Sequence, residues 1–388
     1  MRLDNRIGKR EAIYFILIVV INKIILNLPK LIIKDTSTGA IVNLLVTGLL
    51  AILLTLFISY LFKKFQNHDI IDVAEYVGGN FFKTILGIAY IIFFSIIICT
   101  VLLKFISIIK VIYFPKAPYI YIFLFFMTGI SIANFFGKRP ILKTNALILP
   151  LIIFSLIIVF FGISNHVDIN RLFPIFGNSF QNTFITGLSN IYAFGGITYL
   201  MFLMPLLKDK KDFKKVAIIS IICTLFFLLF ITTILLLTFP FILESEELIS
   251  SYLLVRVLEF GEFFQRTDAL FIFLWILSAF SYLSISLMFI LNILGKITKL
   301  NDSKQLSFSI GSILFSIVLL LNNQYILNTL DGPIYKYFIL ILVFGISTGI
   351  LVLANIKKFI KSTKLFKNTK HKISSIKINS STKIYKSN

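Results

Sequence analysis

Carboxylates are scarce in this chain, and so are most side chains that carry out catalysis in water. Its 388 residues include 17 Asp and Glu, 3 His and 2 Cys. Charged residues make up 14%, against about 25% in soluble domains. Cys99 and Cys223 both lie in apolar runs, with no Cys or His at ligand spacing, which argues against a disulfide framework or a metal motif. His68, His166 and His371 are too scattered for a catalytic triad. No phosphate-cradling loop ending in Gly-Lys-Ser/Thr occurs, so no ATP engine is expected. Every acidic residue falls in a connection or at the end of an apolar run. By that reading no span centre carries a carboxylate to relay protons. Neither an enzyme nor a cofactor-bound protein is expected.

What the chain does have is apolar length. Hydrophobic residues make up 58%, with mean hydropathy +0.95. Runs near 12–33, 39–62, 81–112, 118–136, 141–163, 183–207, 215–240, 268–295, 305–321 and 333–356 each approach or exceed the roughly 20 residues that cross a bilayer. The pattern predicts an all-α integral membrane protein of about ten spans. Met1–Arg10 is polar and basic, and the run after it lacks a small-residue cleavage site, so no cleavable signal is expected. The net charge of +21 sits in short connections and in the C-terminal tail. With the N-terminus inside, most basic residues fall on the inner side, including Arg6, Lys63, Lys138, Lys211 and Lys296. That bias predicts both termini in the cytoplasm and argues against a nucleic-acid partner. The Lys/Ser/Asn-rich tail, 357–388, reads as disordered and as touching anionic lipid headgroups. Segment 241–268 reads as one or two interfacial helices over the outer mouth, or equally as a plain surface loop. Segment 63–80 reads as a short amphipathic helix.

The first span is interrupted. Asn22, Lys23, Asn27 and Pro29 stand in an otherwise apolar run, and Pro29 kinks or breaks the helix just before itself. A break at membrane depth survives only where protein or a water-filled cavity satisfies the freed backbone groups. Lys23 lies about 18 Å along the helix from Glu11, deep enough to make it a site candidate. It could equally snorkel into a vestibule or face a partner subunit. Lys104, in the outer part of the third span, reads as a snorkelling lysine. Span 6 carries Gly195-Gly196 near its middle, where glycines permit unusual backbone angles or close helix packing. Five spans separate the two interruptions, and an odd number reverses orientation. Residues 12–163 and 183–356 can therefore form two inverted repeats in one transmembrane domain, 1–356, each opening on a discontinuous helix. Such paired interruptions point to a transporter-type ligand site. Ser278, Ser281, Ser284 and Ser286 of span 8 could line it or join helices. Phe93 and Ile97 of span 3 share one face and could form an apolar wall.

Several motifs add a resemblance. The first span ends in Ile25-Leu26-Asn27-Leu28-Pro29. Leu172-Phe173-Pro174 precedes span 6, and Phe202-Leu203-Met204-Pro205 closes it. Arg266-Thr267-Asp268 is followed by Trp275. In order and spacing these resemble the B subunit of spore germinant receptors, in the amino acid–polyamine–organocation (APC) superfamily. The resemblance implies the LeuT/APC-like five-plus-five inverted-repeat fold, with discontinuous helices 1 and 6. It implies a spore inner-membrane protein that senses a nutrient germinant, often an amino acid, together with A and C subunits. By the same resemblance the site forms around Asn22, Lys23, Asn27 and Pro29, around Gly195 and Gly196, and from spans 3, 8 and 10. Phe93, Ile97, Ser281 and Phe338 are then lining candidates. An amino-acid permease of the same superfamily is the other function it allows. The chain departs from the family at Asn22-Lys23-Ile24, where a glycine-rich entry is common. It departs again at Ile197-Thr198-Tyr199, where an acidic residue often follows the glycine.

Overall fold

Proline and asparagine decide the course of the first span. In the computed structural model, which describes residues 6–163, 167–239, 267–300, 302–321, 324–361 and 363, helix α1 (Lys9–Leu26) ends at Asn27. Asn27 is non-helical at φ −167° and ψ −1°, and α2 (Leu28–Thr36) starts anew with Pro29 in its first turn. A proline there costs little, because the first N–H groups of a helix have no intrahelical partner. Every residue of α1 from Phe15 to Leu26 is buried. Apolar around most of its circumference and enclosed on all sides, the helix packs on spans 5, 7 and 8. The chain before it pairs with the end of span 6: Ile7 N–H donates to the Leu206 carbonyl at 2.8 Å, and Lys208 N–H donates to Ile7 at 2.9 Å.

The remaining spans are helical, at Ala40–Phe62, Ile70–Ile112, Tyr119–Phe135, Lys138–Ile163, Phe213–Thr238, Thr267–Thr298 and Ser307–Leu320. Span 6 is composite: a 3₁₀ stretch Thr186–Phe194 passes through Gly195-Gly196 into the short helix Ile197–Leu203. Span 10 runs Ile326–Lys361 and widens into π-turns at Leu330–Ile334 and Ile339–Ser347. Among the described residues, eight helices are long and apolar enough to cross a membrane, and Tyr119–Phe135 is a shorter apolar one. With α1, whose extra charges set it apart, they make the bundle expected from the sequence. The expected interfacial segment 241–268 lies almost wholly outside the described residues, as does most of the tail. The part of the tail that is described continues the last helix to Lys361, where Lys357 donates to the Tyr76 and Val77 carbonyls.

The expected amphipathic helix within 63–80 is present as the first two turns of span 3. Asp69 caps it, accepting from Ile71 and Asp72 N–H at 3.1 and 3.2 Å. Gly78 and Gly79 then leave helical geometry, and Gly79 takes φ +68°, which glycine adopts without strain. Lys296 of span 8 reaches both Asp69 and Asp72 at 2.6 Å. Burial pushes the Asp69 carboxyl up from its ordinary value, and neighbouring Asp72 adds to that, while Lys296 opposes it. In Lys296→Met the opposing charge is gone, and the folded protein holds the proton to a higher pH than the unfolded chain. Stability then falls as pH rises above the ordinary carboxylate range. Melting of the variant relative to wild type is expected to be closer at pH 5 than at pH 7.5. An equal deficit at both would remove Asp69 as its source.

Candidate functional site

Residues of spans 1, 3 and 10 meet where Lys23 stands, about 21 Å along α1 from its first residue. Its ammonium lies 2.7 Å from one Asp331 oxygen, and Lys104 of span 3 lies 2.5 Å from the other. All three side chains are close to fully enclosed, at 7%, 6% and 11% exposure for Lys23, Asp331 and Lys104. Lys23 also sits over the Tyr335 ring, 3.9 Å from its centroid. A desolvated cation over an aromatic face gains about 0.5–2 kcal/mol.

Two sequence expectations need correcting here. Lys104 does not snorkel; it turns inward to Asp331. Nor is the core without a carboxylate. By the sequence, span 10 starts at 333 and Asp331 lies in a connection, but the helix is already formed at 326. The π-turn Leu330–Ile334 carries Pro333 within the helix, its wider spacing giving the ring room beside the preceding turn's carbonyls. A usable signal was present: two lysines inside spans require an acid, and Asp331-Gly332-Pro333 borders an apolar run.

Asn22 points to span 8, donating to Ser278 at 3.1 Å. Its Oδ1 is buried without a hydrogen-bond partner among the described residues. Ser281, a lining candidate, is buried on the same helix one turn beyond Ser278. Asn27 and Pro29 shape the break and are not part of the charged cluster.

Gly195 and Gly196 keep ordinary helical angles, with φ near −57° and −54°. The expectation of unusual backbone angles does not hold, and close packing explains both. A Cβ on Gly195 would lie 2.7 Å from Ile339 and 3.1 Å from the Tyr335 hydroxyl. One on Gly196 would lie 2.8 Å from Val20 of α1. Without side chains, span 6 comes close to spans 1 and 10. Phe93 faces Tyr335 in a near-parallel stack at 6.0 Å and lies 6.1 Å from Phe338. Ile97 is fully buried one turn on. Phe93, Phe338, Gly195 and Lys23 thus gather around Tyr335, a residue the sequence did not single out. Behind them Phe15, Phe94, Tyr199 and Phe289 join spans 1, 3, 6 and 8, with Phe94 and Phe289 stacked at 5.4 Å.

The arrangement offers charge, hydrogen-bonding groups and aromatic walls, but no nucleophile–base pair. Among the described residues no group of three or more His, Cys, Asp or Glu could hold a metal ion. Chemically, such a set of groups can recognise a small polar molecule.

A family model described as "Spore germination protein" matches residues 6–326. Spore germination protein B2 of Bacillus subtilis (strain 168) is 24% identical over 203 residues. That match covers 51% of this chain and 54% of the relative, so the chain spans about half the length of the curated relative it matches. Among solved structures, a substrate-bound, outward-open Na+-coupled sialic acid symporter aligns with TM-score 0.63 at 14% identity. The alignment covers 90% of this chain and 79% of the symporter. At that identity the likeness shows a shared LeuT-like fold and carries no ligand across.

Proposed function

The chain belongs to the spore germination protein family, and from that premise we propose that it is the germinant-sensing B subunit of a spore germinant receptor. Its ligand is a small nutrient, an amino acid, and it sits in the spore inner membrane with both termini in the cytoplasm. Receptor A and C subunits are its partners. The observation that carries the reading is the polar cluster of spans 1, 3 and 10 in a family member with a transporter fold. Buried ionisable groups in a membrane protein are expensive and mark ligand or ion sites. The two opening halves, 12–163 and 183–356, act in this reading as inverted repeats with the ligand between their broken first helices.

The symporter fold favours a second reading, an amino-acid permease that carries its ligand across. One pair of measurements separates them. A receptor subunit predicts that deleting the gene abolishes germination on at least one amino acid of a nutrient panel. It also predicts little uptake of that amino acid by proteoliposomes holding this chain alone. Saturable uptake with undiminished germination would establish the permease instead.

A further inference from the structure

The charges around Asp331 do not balance. Two ammonium groups, Lys23 and Lys104, share one carboxylate at 2.7 and 2.5 Å, and all three are enclosed. Among the described residues no other acidic side chain is paired with either lysine, so the cluster holds one positive charge in excess. A buried charge without a counter-ion is costly, and a ligand that supplies the counter-charge is rewarded by that amount. Asn22, the preceding residue of α1, turns instead to Ser278 of span 8, so among the described residues the excess charge stands with Lys23, Lys104 and Asp331 alone. An anionic group is wanted there.

From this we infer that the ligand's carboxylate binds the ammonium groups of Lys23 and Lys104, sharing them with Asp331. This rests on the amino-acid reading above and adds the ligand's polarity and the residues that read it. Carboxylate-to-ammonium bonds are charge-assisted and short, and so discriminate strongly against an uncharged analogue. The excess charge also disfavours a metal cation beside Asp331, because both carboxylate oxygens already face ammonium groups.

The test uses the full chain in detergent. Its melting temperature is read with each of the twenty protein amino acids, and then with the amide of any that stabilises it. Removal of one charged hydrogen-bond partner is expected to weaken binding about tenfold or more. Wild type is therefore expected to bind the acid at least about tenfold more tightly than the amide. Lys104→Met leaves a balanced Lys23–Asp331 pair, so the fold survives and the preference collapses toward one. In the double variant Lys104→Met, Asp331→Asn, Lys23 is again an unbalanced ammonium, and the preference returns. Equal binding of acid and amide by wild type, or a preference intact in Lys104→Met, overturns this inference and leaves the amino-acid reading standing. Stabilisation by none of the twenty overturns both.

Discussion

Asp331→Ala is expected to be among the most damaging single substitutions in the protein. It leaves Lys23 and Lys104 facing each other's charge in a nearly dry interior, where both now point at the lost carboxylate. Breaking a buried ion pair by removing one partner costs about 3–5 kcal/mol, and here one removal orphans two cations. Replacing the whole cluster by apolar residues of similar volume is often neutral or stabilising. The triple variant Lys23→Met, Lys104→Met, Asp331→Leu is therefore expected to recover most of the stability that Asp331→Ala loses, without regaining ligand response. Melting in detergent, compared across wild type, the single and the triple variants, checks this. A single variant that melts with wild type would mean that the cluster is hydrated enough to dispense with its acid. A triple variant as unstable as the single one would mean that packing around Asp331, not charge, sets the cost.

Gly177→Ala is the second large effect, and it acts on the approach to span 6. The segment before that span is fastened to the end of α2. Thr38 donates to the Pro174 carbonyl at 2.6 Å, Thr183 donates to Phe176 at 2.8 Å, and Asn43 donates to Thr183 at 2.8 Å. Gly177 sits inside this set of contacts at φ +72°, where a Cβ would be 2.5 Å from the Thr36 carbonyl oxygen and 3.1 Å from the Gly39 nitrogen. Both obstacles are backbone and cannot rotate away. The left-handed angle costs roughly 1–2 kcal/mol and the overlap roughly 1–3 more. The loss is expected to come with a loosened α2, whose Asp35 pairs with Lys336 of span 10 at 2.9 Å. Gly349→Ala is the matched control: it lies in a helix with nothing within 4 Å of the added methyl, so it is expected to be neutral or stabilising by up to about 1 kcal/mol. Melting temperatures of the two variants are to be compared. Equal behaviour would show that the segment around Gly177 can move aside.

The two lysines show where one-dimensional reading reaches its limit. Lys23 was a visible candidate because an ionisable residue in an apolar run has few bland explanations. By sequence Lys104 reads as snorkelling, because its distance along the helix fits the interface as well as the core. Only the rotation of span 3 against span 10 separates those cases, and a lone segment does not encode it. The glycines of span 6 teach the same lesson from the other side. Their presence was plain, but whether they serve backbone freedom or close approach depends on Ile339, Tyr335 and Val20, which lie far off in the chain.

Sequence alone determined the medium and the path. Long apolar runs demand helices in a bilayer, because every backbone polar group must be satisfied within the segment. Pro29 and Asn27 fixed where the first helix stops, because a missing N–H is a local fact. Tertiary structure alone decided the charge chemistry. Asp331 lies 308 residues from Lys23 and 227 from Lys104, so the neutralising partner is found only once spans 1, 3 and 10 are packed. The helix break is local geometry, whereas the excess charge beside it belongs to no single segment.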